Sequence, residues 1–157
     1  MPFELLHSRL PELAERETRT VTVVMDNPSG LLPPAEYGFL EMFCNEPGCD
    51  CRRVFFTVIS SLTQETEAVI AYGWESRAFY RKWLKYPSTK EQVDELQGPI
   101  LNLMSPQSIH APALLEIFTD LLAPDLDYIA RVKRHYQLFR NTLARPSNIT
   151  RRRRTGG

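Results

Sequence analysis

Apolar and polar positions follow two periods along this chain, and the change falls near residue 75. In the first part they alternate. Thr18 to Met25 (Thr-Arg-Thr-Val-Thr-Val-Val-Met) is rich in β-branched side chains and alternates at Val21 and Val23, which predicts a strand in a half-buried sheet. It ends at Asp26-Asn-Pro-Ser-Gly30. Pro33-Pro34 break the preceding conformation, and the alternating Tyr37, Phe39 and Phe43 predict a second strand over Tyr37 to Cys44, since period 2 puts those rings on one face. Arg52 to Ser60 and Glu67 to Trp74 read as the third and fourth strands. The short connections favour an antiparallel meander, because parallel pairing needs crossovers of about a dozen residues or more. Upstream, Phe3, Leu5, Leu6, Leu10 and Leu13 recur at roughly helical spacing with Pro11 among them, which predicts a short or broken helix over residues 3–16.

From Ser76 onward the period is helical. Phe79, Trp83 and Leu84 fit one helix, Ser88 and Glu91 have capping-box spacing for a second, and Gly98 to Ser108 is a proline-containing connector. Leu114, Leu115, Phe118, Leu121 and Leu122 share one helical face; Ile129, Val132, Tyr136, Phe139 and Leu143 share another, with Pro124 placed to start that last helix. Strands followed by helices define an α+β class: a four-stranded antiparallel meander with a C-terminal helical segment packed on one face. Residues 1–144 are expected as a single domain and 145–157 as a basic, disordered tail. Tyr37, Phe39, Phe43, Phe55 and Phe56 divide between the two sheet faces. A face that helices leave uncovered would mark a protein partner or a homodimer contact.

Composition adds exclusions. The chain has 157 residues, 43% apolar and 24% charged, an ordinary globular mix whose core should bury roughly 70% of the unfolded surface without help from a metal or cross-link. Lys plus Arg and Asp plus Glu balance at 19 each. Four of the cations are Arg151, Arg152, Arg153 and Arg154, so residues 1–150 carry a net −4. Such a body gains little from phosphate contacts, which leaves only the arginine tail as a nucleic-acid arm. No basic start followed by an apolar run appears at the N-terminus, and no apolar stretch approaches the length of a membrane span. The expectation is a cytoplasmic protein without membrane contact. An odd count of three cysteines makes a disulfide framework a poor explanation there and leaves metal or free thiols.

All three cysteines fall between positions 44 and 51, in Cys44-Asn-Glu-Pro-Gly-Cys49-Asp-Cys51-Arg-Arg. Cys44 closes the second strand, Cys51 opens the third, and the Pro47-Gly48 turn carries Cys49 between them, so a hairpin would converge the sulfurs. Three convergent thiolates begin a tetrahedral zinc site with Zn–S distances of about 2.3 Å. His7, His110, His135, Asp50 or water are the candidates for a fourth ligand. Two other readings stand beside zinc. The cysteines can be plain reduced thiols, or Cys49 or Cys51 can be a reactive thiol whose pKa is lowered by Arg52 or Arg53. The phosphatase spacing of cysteine, five residues and arginine is absent, since Asp50, Phe55 and Thr57 occupy the required positions.

Glu17-Thr-Arg19, Leu32-Pro-Pro34, Tyr37 to Glu41 and the run Cys44 to Val54 resemble an uncharacterised family of small bacterial cytosolic proteins, some of which carry a separate SEC-C type zinc motif. Ser105-Pro-Gln-Ser108 and His135-Tyr136 extend the likeness over residues 15–143. The resemblance implies no activity, and this chain lacks the additional Cys/His pair of a SEC-C motif. Elsewhere, Ser105, Ser108 and His110 suit the start of a helix better than a catalytic triad, as no serine sits in a nucleophile elbow. His135 reads as a surface histidine beside a core tyrosine. The residues thus favour a non-enzymatic binding or accessory module with a cysteine hairpin that can hold structural zinc. The alternatives are a thiol-dependent enzyme using Cys49 or Cys51, and nucleic-acid binding through the arginine tail.

Overall fold

The computed structural model describes residues 2–24 and 32–144. Among them the sheet has six strands, all paired antiparallel: β1 (Phe3–Leu5), β2 (Arg19–Val23), β3 (Ala35–Cys44), β4 (Arg53–Ser60), β5 (Thr66–Gly73) and β6 (Ile100–Leu101). The four expected strands are present and in meander order; Met25 and the turn at 26–30 lie outside the described residues. The two extra strands are short pieces without a readable period. β1 pairs Phe3 to Leu5 with Cys44 to Met42. Phe3 therefore belongs to the sheet and not to a helix, its ring stacked on Phe55 at 4.0 Å. Helices α1 (Leu6–Arg9) and α2 (Pro11–Glu17), broken at Leu10 as Pro11 requires, lead from β1 to β2. Both strands lie end to end along one edge of the long β3.

β6 joins the far edge, pairing Ile100 and Leu101 with Ala71 and Ile70. Gly98 makes this possible. Its φ is +59° and a Cβ there would collide with the Ala71 carbonyl oxygen, so only glycine allows the close backbone approach.

One sheet face is closed. Tyr37, Phe39 and Phe43 of β3, Val54, Phe56 and Val58 of β4, and Ala68 and Ile70 of β5 are buried. Against them pack α5 (Ala111–Ile117), a π-helical turn (Phe118–Leu122) and α6 (Leu126–Ala144). Phe56 meets Phe118 at 4.9 Å and Phe43 meets Phe139 at 5.6 Å. Each buried aromatic contributes about 1.5 to 3 kcal/mol over leaving it in water. The wider turn, closed by the Ala123 N–H on the Phe118 carbonyl, shifts the helical phase, so Phe118 and Leu122 both point inward while Leu121 is 61% exposed. The expected common face of Leu114 to Leu122 is corrected at that one position. Asp125 caps α6 through the Tyr128 N–H.

The helices are not confined to that face. α3 (Arg77–Leu84), capped by Ser76, and α4 (Lys90–Gln97) form a second small core of Tyr80, Val93 and Leu96. They pack where Arg53 and Ala71 project from the other side of the sheet. The capping box of α4 is Thr89 with Gln92, one residue later than the Ser88–Glu91 pair with the same spacing.

His135 is the other correction. It is 0% exposed, with Nδ1 2.7 Å from Glu41 Oε1 and Nε2 3.3 Å from Glu17 Oε1. Val132, His135 and Phe139 share one stripe of α6, so a polar residue at helical core spacing faces inward and meets the one carboxylate on the buried face of β3. Burial pushes the Glu41 pKa up, against the lowering effect of His135. Replacing His135 with Ala strands a buried carboxylate, and a loss of about 3 to 5 kcal/mol in unfolding free energy is expected from urea titration.

Candidate metal centre

The chain between β3 and β4 is built to hold its thiols. Pro47 and Gly48, the latter at φ +77°, form a tight turn closed by the Cys49 N–H on the Glu46 carbonyl at 3.2 Å, the geometry that Pro followed by Gly prefers. Arg140 of α6 donates to the carbonyls of Cys44 at 3.1 Å and Glu46 at 3.0 Å. At the far end Arg52 adopts φ +50°, a conformation that costs a side-chain-bearing residue about 1 to 2 kcal/mol. It is held there from several sides. Its guanidinium pairs with Asp50 at 2.9 Å and Glu75 at 3.4 Å and lies over the Phe79 ring. Its carbonyl accepts from the Tyr80 hydroxyl at 2.8 Å, and the Tyr136 hydroxyl donates to Asp50 at 3.0 Å.

These constraints converge the cysteines as the hairpin argument expects. The Sγ atoms of Cys44, Cys49 and Cys51 all lie within 4.8 Å of one another, with Cys44 and Cys51 buried and Cys49 partly exposed. No disulfide joins them. Tetrahedral zinc at about 2.3 Å from each sulfur needs the sulfurs about 3.8 Å apart, so the loop requires only a small contraction. The backbone N–H groups of Glu46 and Arg53, each two residues beyond a cysteine, act to lower the pKa of Cys44 and Cys51 against the larger effect of burial. Such donors favour the thiolate that a metal requires. The donor set and its backbone environment therefore fit a thiophilic cation.

Without a metal, burial dominates. It pushes the Cys51 thiol up to about 12, with the Cys49 and Cys44 thiols adding to the shift, and raises Cys44 as well. The net shift is thus opposite to the lowering expected from Arg52 or Arg53: the charge of Arg53 interacts with Cys51, but burial outweighs it. The Arg52 guanidinium is engaged by Asp50 and Glu75, while that of Arg53 donates to the carbonyls of Leu96 and Glu95. Of the proposed fourth ligands, His135 is committed to Glu41 and Glu17, and Asp50 to Arg52 and Tyr136. Neither His7 nor His110 joins the three sulfurs among the described residues. The connector residues have a structural role: Gln107 bonds both backbone groups of Val69, and Ser108 accepts from the His110 N–H.

Sequence reading found the three thiols but not the residues that hold them. Tyr136 and Arg140 are four apart on α6, a spacing that puts both on one side of the helix, and this was the available signal. Arg151 to Arg154 lie outside the described residues. No helix among the described residues is long and apolar enough to cross a membrane. Comparison with family models, curated proteins and solved structures gives no match to this chain.

The raised Cys51 pKa has a signed consequence. The folded state holds this proton up to about pH 12, whereas an unfolded thiol releases it near 9.0. The stabilisation is complete below pH 9 and is lost as pH rises from 9 toward 12. The urea midpoint of chelator-treated protein is expected to be insensitive to this group below pH 9 and to fall above it, less so in Cys51→Ala.

Proposed function

We propose that the chain is a non-enzymatic binding or accessory module in which Cys44, Cys49 and Cys51 hold a zinc ion as a brace between the end of the sheet, α3 and α6. The observation that carries this is the convergence of three sulfurs within 4.8 Å. The chemistry follows from the ligands: thiolates select soft and borderline cations, and zinc adopts tetrahedral sites of this kind without redox activity. A brace also accounts for the surroundings. Cys51 is a buried, protonated thiol in the metal-free protein, a poor nucleophile near neutral pH. The loop is anchored by Tyr80, Tyr136 and Arg140, which tie two helices to the strand ends.

Metal uptake displaces protons from these thiols, so affinity is expected to weaken as pH falls. Protein purified without a metal-affinity tag should contain about one zinc per chain by elemental analysis, and Cys51→Ser should lose it. At free zinc a thousandfold above Kd, the parent chain should gain about 4 kcal/mol that the variant does not. Metal-free protein that gains no stability from added zinc would end this reading. Rapid alkylation of Cys49 in that same protein would favour the reactive-thiol alternative.

A further inference from the structure

The sheet face opposite α6 is only partly covered, and it carries a groove of about 890 Å³. Met42, Phe55, Val69 and Ala71 form its floor, α3 and α4 bring Leu84 and Leu96 to one side, and residues 100–106 form the other. Leu103 and Met104 on that rim are 85% and 94% exposed. Large side chains held in water beside an apolar floor are costly unless something covers them. The polar feature that defines the occupant is Arg53.

Arg53 is 4% exposed and lines the groove, its guanidinium stacked over Phe55 at 5.2 Å. Nε donates to the Leu96 carbonyl at 2.9 Å and Nη2 to the Glu95 carbonyl at 3.2 Å. Among the described residues Nη1 has no hydrogen-bond partner within the protein and is not fully buried, and no carboxylate lies within ion-pairing distance of this guanidinium. The one acid in the lining, Glu95, is exposed to solvent. Nη1 is therefore open to the groove, and a guanidinium whose other donors are met by neutral carbonyls, with no carboxylate beside it, would gain a charge-assisted hydrogen bond from an anion that reaches this edge.

We propose that this groove binds an aliphatic monocarboxylate, its chain on the Met42, Phe55, Val69 and Ala71 floor and its carboxylate on Nη1 of Arg53. One unpaired positive charge with one free edge suits a single negative charge, whereas a phosphate dianion would bring a second that nothing in the lining meets. Apolar pockets with one oriented polar group are the usual form of such sites. The inference does not rest on the metal reading, although the Arg53 charge also interacts with Cys44, Cys49 and Cys51.

The test titrates decanoate, decanol and decyltrimethylammonium into the full chain below their micelle concentrations, followed by amide chemical shifts. Decanoate is expected to bind about tenfold or more tighter than decanol, the ratio one charge-assisted hydrogen bond supports. The decylammonium should be weakest, and shifts should centre on Arg53, Val69 and Ala71. Thr57→Trp, which fills the groove floor, should abolish decanoate binding while keeping the parent circular dichroism. Equal affinity for decanol, no decanoate binding, or shifts centred elsewhere would overturn the proposal. So would undiminished binding by a folded Thr57→Trp; if that variant does not fold, the ligand series and shift map on the parent chain decide.

Discussion

A buried imidazole meeting a buried carboxylate fixes how α6 lies on the sheet. His135 and Glu41 are both removed from water and 2.7 Å apart, each partnering the other, with Glu17 taking the second imidazole nitrogen. Apolar packing alone would let a helix slide or roll on β3 at modest cost; a short polar contact between two desolvated groups does not. Once His135 is set, the neighbouring positions of α6 are set with it. Phe139 falls on Phe43, Tyr136 reaches Asp50, and Arg140 reaches the carbonyls of Cys44 and Glu46. The cysteine loop is thus held by the same helix register that closes the core.

How far this was legible in the sequence depended on whether the determining contact was local. The long strands announced themselves by period 2, and the cysteine convergence followed from a hairpin and a Pro47-Gly48 turn, both nearest-neighbour arguments. Phe3–Leu5 and Ile100–Leu101 were not legible, because two or three residues contain no period and their pairing is decided by partners far along the chain. The roles of Arg52 and Arg53 were misread for a related reason. The charge of Arg53 does interact with Cys51, but burial of the thiol outweighs it, and residues 50, 75, 95 and 96 take the hydrogen bonds of the two guanidinium groups. His135 offered a usable signal, an inward position between Val132 and Phe139, but its acidic partner lies in β3.

The two sheet faces show what different ends alternation can serve. The odd positions of β3 and the even positions of β4 are covered by α5 and α6 and behave as core. The opposite set, including Met42, Phe55 and the stacked Phe3, receives the α3–α4 pair at one end and leaves the rest as the floor of the groove. Arg53 stands at that boundary, one residue from the covered Val54 and two from Cys51. Its charge interacts with the Cys51 thiol while its guanidinium donates to α4 carbonyls, so a single residue couples the cysteine loop to the helical pair.

That coupling bears on what a metal can do in this protein. In the smallest zinc domains the ion creates the fold, because no core exists without it. Here the aromatic core around Phe39, Phe43, Phe56 and Phe118 forms without the sulfurs, and hydrogen bonds from Tyr80, Tyr136 and Arg140 hold the loop without a cation. A metal bound at Cys44, Cys49 and Cys51 would therefore compete chiefly with protons, not with chain entropy. The burial that raises the Cys51 pKa sets the size of that competition, while the N–H groups of Glu46 and Arg53 reduce it.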